Sequence, residues 1–167
     1  MEDTASVSAT AYVGKYAVVR DNARVDGNAR IHEYAMVLDN ARISEDAQVY
    51  GNAVVMENAI VQGKAWVCGW AMVKENACIS DNARVHGCSL VFGNSRIFGN
   101  ANVIGGITKD NCMVYGNAMV EGVQISGYAR IFDNAKVSGG EVQSFAVVHK
   151  KANIVSDTVG LWDVRVL

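Results

Sequence analysis

Side chains able to bind or react recur along this chain at an interval of eighteen residues. Arg30, Gln48, Trp66, Arg84 and Asn102 form one column, and His32, Tyr50, Cys68, His86 and Ile104 form a second, two residues further on. Arg supplies charge-assisted hydrogen bonds to an anionic group, and Trp and Tyr supply flat apolar surfaces with a polar handle. Arg30, His32, Tyr50, Trp66, Arg84 and His86 are therefore the first candidates for contacts to a small anionic or nucleotide-like ligand. The plainer reading of the same residues is a mixed, solvated surface. A secondary candidate surface is Arg96, Phe98, Tyr115, Arg130 and Phe132. Aromatics beside guanidinium groups can sandwich a ring while neutralising phosphate, or they can simply form a ladder that stabilises a sheet.

Catalysis has fewer candidates. The chain has three His, at 32, 86 and 149. His86, with Trp66, Arg84 and Cys88 close in sequence, is the best placed as a general base. Such a base needs a shaped, water-excluding site around it, and no long excursion interrupts the repeat to build one. A non-catalytic binding role is the expectation, with no catalytic residue assigned and no cofactor. Asp21, Asp39, Glu57 and Glu75 share one column, where hydrated turn carboxylates are expected and a bound metal is not. Cys68, Cys78, Cys88 and Cys112 form no CxxC pair or zinc spacing and read as free thiols.

These columns follow from a repeat. A Val or Ile stands at every sixth position from Val7 to Val103, and four residues after each of the first sixteen comes Ala, or Ser at 89 and 95. Period six fits neither the 3.6 of a helix nor the two of a plain strand, so the unit is a short strand plus a turn. The β-branched residue points inward, its neighbours point outward, and the small residue turns inward at a tight corner. The turn pair is often Asp, Glu or Gly followed by Asn, and Asn and Gly both tolerate the left-handed backbone expected there. Beyond Val103 the rungs continue at Thr108, Val114, Val120, Ile125, Ile131, Val137, Val142, Val148, Ile154 and Val159. Steps of five residues follow Val103, Val120, Val137 and Ile154, seventeen residues apart. Three rungs per coil give an all-β solenoid of about nine triangular coils. The coils have eighteen residues to about 102 and seventeen from about 103, in one domain over 1–167, with a C-terminal cap at 160–167. The short corners read either as drift in the repeat or as an edge flattened for a partner.

On these rungs and turns, the chain resembles the hexapeptide-repeat family, whose fold is a left-handed parallel β-helix. The handedness is what the resemblance implies. Its DNARV, GNARI and DNARI units are similar to those of very regular hexapeptide proteins from bacteria and phages, for which a binding or assembly role is implied. The resemblance also implies an alternative, an acyltransferase using acetyl-CoA or another acyl-CoA with a His as base. It further implies a homotrimer with parallel axes.

One outward face agrees with subunit contact. Met36, Leu38, Val54, Met56, Met72, Leu90 and Phe92 form an apolar column pair, and so continuous a patch is unusual on a lone soluble chain. A host protein is a second class of partner. A net charge of -2 gives no general attraction to nucleic acid or membrane. No apolar run approaches the length of a membrane span, and Met1-Glu2-Asp3-Thr4 does not begin a signal peptide, so a cytoplasmic location is expected. Four Thr in the chain are too few for a flat ice-binding array.

Overall fold

The computed structural model describes residues 4–160 and the strand Val164–Val166. The described residues wind as a parallel β-solenoid of about nine coils, their short strands joining three parallel sheets of ten, nine and nine strands. Residues 1–3, 161–163 and 167, which include part of the expected C-terminal cap, lie outside the described residues. Val164–Val166 pairs with Val147–His149 and extends the first sheet by one strand. Among the described residues no helix is long and apolar enough to cross a membrane.

The register is that of the repeat. Val67 pairs with Val85, and Val85 with Val103, each eighteen residues on; Val103 then pairs with Val120, seventeen on. The rung residues from Val25 onward and the small residues from Ala23 onward fill the interior, with Thr108 also buried. Burying each Val or Ile contributes roughly 1.5–3 kcal/mol, and each coil covers its neighbour's apolar side chains. Among the described residues the first coil is paired on one side only, and Val7 is 46% exposed. Cys112 occupies a small inward position and is fully buried, which pushes its thiol pKa up to about 12.

The corners differ from expectation in which residue bends the chain. The left-handed residue is the first of the turn pair, as at Asp21, Glu33, Asp39, Glu57 and Gly63, and Asn is not among the residues with positive φ. An acidic residue accepts the strain, roughly 1–2 kcal/mol for an L-residue, because its carboxylate satisfies a backbone donor of the next coil. Asp39 accepts from Glu57 N–H at 3.0 Å, Glu57 from Glu75 N–H at 3.0 Å, and Glu75 from Gly93 N–H at 2.9 Å. Hydrogen bonds to a charged group contribute about 1.5–3 kcal/mol, enough to offset that strain. The acidic column is therefore part of the fold rather than a row of idle hydrated turns. Asn instead builds ladders between coils, as in Asn82 to Asn100 at 3.0 Å and Asn100 to Asn117 at 3.0 Å.

The strands of the second sheet lengthen one coil before the first five-residue corner. Trp66–Val67 has two residues, whereas Arg84–His86, Asn102–Ile104 and Met119–Glu121 have three. The cross-section thus changes on one edge only. Deleting Gln62 would impose a short corner between coils that keep long ones, breaking the register of its 3.0 Å bond to Ile79 O. That deletion is expected to lower the unfolding midpoint more than a Gly inserted after Gly140, which can bulge outward and has few coils beyond it. Equal losses in thermal unfolding would count against the seventeen-residue coil as the cause.

Candidate ligand-binding face

The second sheet carries both candidate columns, because residues flanking an inward rung must project outward on the same face. Parallel pairing without a register slip sets Trp66 beside Gln48 on one coil and Arg84 on the next. The Arg84 guanidinium lies over the Trp66 ring at 4.7 Å from its centroid. His32 stacks on Tyr50 at 5.0 Å, and Tyr50 meets Trp66 edge-on at 6.4 Å. Arg30 lies over Tyr12 at 5.4 Å, two coils from Trp66.

Two adjoining clefts share the Trp66–Arg84 contact. One, of about 190 Å³, is lined by Tyr50, Trp66, Cys68, Arg84 and His86. The other, of about 390 Å³, is lined by Asp46, Gln48, Lys64, Trp66, Asn82 and Arg84. Four of the six primary candidates, Tyr50, Trp66, Arg84 and His86, therefore come together. Arg30 and His32 line neither cleft, and His32 Nδ1 instead faces Glu33 Oε1 at 3.8 Å.

Cys68 and Asn102 were column members without a role, and the structure gives each a contact. The Tyr50 phenol has its pKa raised to about 12, chiefly by a hydrogen bond with Cys68 and then by burial. Its hydroxyl thus stays protonated as a donor at neutral pH. His86 Nε2 lies 3.0 Å from Asn102 Oδ1. Asp46, Lys64 and Asn82 were not recognised from the sequence, although a signal was present. They occupy the Asn position of the corner entering this sheet. Asn28 bonds Asp46 at 3.1 Å and Asn82 bonds Asn100, so Lys64 interrupts the ladder beside Trp66.

The secondary surface is built differently. Phe98, Tyr115 and Phe132 stack with centroids 4.8 Å apart and planes within 2°, and His149 continues the stack at 5.1 Å from Phe132. Rings this close cover one another's faces and leave no gap into which a base could slide between them. Arg96 covers Phe98 at 5.6 Å. Arg130 is exposed on the same face. This arrangement matches a sheet-stabilising ladder.

On the third sheet, Met36, Val54, Met56, Leu90 and Phe92 are half-buried within the single chain and Met72 is 37% exposed. Leu38 is only 7% exposed, already covered by its neighbours, so it has little surface left for another subunit. Lys74 lies over the Phe92 ring at 5.4 Å. Among the described residues no three His, Cys, Asp or Glu side chains are grouped to hold a metal ion. No protein-family model and no curated protein matches the chain.

Proposed function

We propose that this chain is a non-catalytic binding protein whose second sheet takes a small, flat anion such as a nucleoside phosphate. The observation that carries the reading is the meeting of two clefts over Arg84 and Trp66. A guanidinium backed by an indole offers both a planar surface and donors to an anion. Lys64 adds a second cation, and Gln48 and Asn82 add neutral hydrogen-bonding groups. Adjacent coils place such groups about 5 Å apart, so one small ligand can touch three of them.

The wider reading is a left-handed hexapeptide-type solenoid, cytoplasmic, assembled as a homotrimer through the apolar third sheet. Its four cysteines are free, which suits a reducing compartment. One observation favours the alternative of acyl-CoA-dependent acyl transfer. Asn102 fixes the orientation of His86, as a general base requires.

Calorimetric titration with ADP and with pyrophosphate tests the binding reading. ADP is expected to bind more tightly than pyrophosphate, since only ADP can use the stacking plane. Trp66→Ala and Arg84→Ala are each expected to weaken ADP by about tenfold or more, the effect of losing roughly 1–3 kcal/mol of stacking or charged hydrogen bonding. Failure of ADP to bind, or equal binding by both variants and the parent protein, would overturn it. Acetyl-CoA turnover lost in His86→Ala would establish the transferase instead.

A further inference from the structure

The second column of this sheet places a thiol between a phenol and an imidazole. Val67 pairs with Val85, and Cys68 N–H donates to Val85 O at 3.0 Å, so Cys68 and His86 follow side by side on adjoining coils. Both line the 190 Å³ cleft, together with Tyr50, Trp66 and Arg84. On its other side Cys68 adjoins Tyr50, whose N–H donates to Val67 O at 3.0 Å on the neighbouring coil. His86 Nε2 faces Asn102 Oδ1 at 3.0 Å. A carbonyl oxygen can only accept, so Nε2 carries the hydrogen, and in the neutral imidazole the lone pair is then on Nδ1. The cleft thus holds a sulfur nucleophile, an oriented base, a phenolic donor and a guanidinium.

The other three cysteines lack this setting. Cys112 is fully buried, and Cys78 lies on the first sheet among outward side chains of another face. Cys88 is exposed and lines neither cleft. Half-buried Cys68 is therefore the thiol with both access and partners.

We propose that Cys68 is a reactive thiol that exchanges with small carboxylate-bearing disulfides, with His86 as its base and Arg84 holding the anion. His86 Nδ1 takes the proton from Cys68 Sγ, and the sulfur attacks one sulfur of the incoming disulfide. A new S–S bond forms as the old one breaks, and the departing thiolate takes the proton back from the imidazolium. Cys68 is oxidised to a mixed disulfide and the departing half is reduced to a thiol. Excess thiol reverses the step, making the cleft a reversible modification site.

The test is a time course of the reduced full chain with oxidised glutathione, or with cystamine as the cationic disulfide, followed by peptide mass spectrometry. With oxidised glutathione, Cys68 is expected to react about tenfold faster than the more exposed Cys88, since thiolate formation as well as access sets the rate. His86→Gln is expected to slow Cys68 while leaving Cys88 unchanged. Arg84→Gln is expected to remove the preference of Cys68 for oxidised glutathione over cystamine. Modification that follows exposure, with Cys88 ahead of Cys68, would overturn the proposal, as would an unchanged Cys68 rate in His86→Gln. Exchange is read as mass on Cys68 and binding as heat on ADP, so in the parent chain fast Cys68 exchange without ADP binding overturns the binding reading alone, and ADP binding without a Cys68 preference overturns this proposal alone.

Discussion

Gly106→Ala is expected to destabilise the solenoid by about 3 kcal/mol or more, whereas Gly105→Ala, one residue earlier, costs only about 1–2 kcal/mol. Both glycines have left-handed backbones, with φ of 64° at Gly105 and 79° at Gly106, so both alanines carry the same conformational penalty. The difference is space. A Cβ on Gly105 meets nothing within 4 Å, but on Gly106 it would sit 2.3 Å from Val123 O and 2.6 Å from Val123 N. Those are backbone atoms of the next coil, fixed by the 2.9 Å bond from Ile107 N–H to Val123 O. Relief requires parting two coils, and overpacking of that kind costs typically 1–3 kcal/mol beyond the strain. Urea unfolding of the two variants side by side measures the contrast. Equal midpoints would mean that the short corner is looser than the close approach of its backbones implies.

Replacing Met56 and Phe92 together by Asp is expected to convert an oligomer into monomers or insoluble protein. Both lie on the third sheet, in the outward column after its rungs, and both are half-buried before any subunit contact is made. An interface there would lose roughly 1.5–3 kcal/mol for each large apolar side chain removed. It would also take in carboxylates with no partner, which is costlier still. Leu38→Asp is a poor substitute test, because Leu38 is already covered within its own chain and its loss would report on the fold. Sedimentation velocity on parent and variant decides the matter. A parent chain that sediments as a monomer would remove this face as an interface and leave its apolar residues to strand stability.

Most of the fold was legible because a solenoid maps sequence onto space by a fixed period. Val67, Val85 and Val103 could be stacked from spacing alone, and the seventeen-residue coils followed from four shortened steps. With the rungs inward, alternation forced Trp66 and Arg84 onto one face and Cys68 and His86 beside them. The sequence by itself thus determined the coil, its register and the membership of each outward column. Only the tertiary structure decided what the members of a column do to one another. Arg84 lies over Trp66, and Phe98, Tyr115 and Phe132 close into a stack, through rotamers chosen against neighbours seventeen or eighteen residues away. The left-handed corner fell to the residue before Asn, and where that residue is Asp39, Glu57 or Glu75 its carboxylate accepts from an N–H of the following coil, which local propensity does not register. Cys68 and Asn102 gained roles for the same reason. A spacing assigns a residue its neighbours, but contact depends on where side-chain atoms come to rest between packed coils.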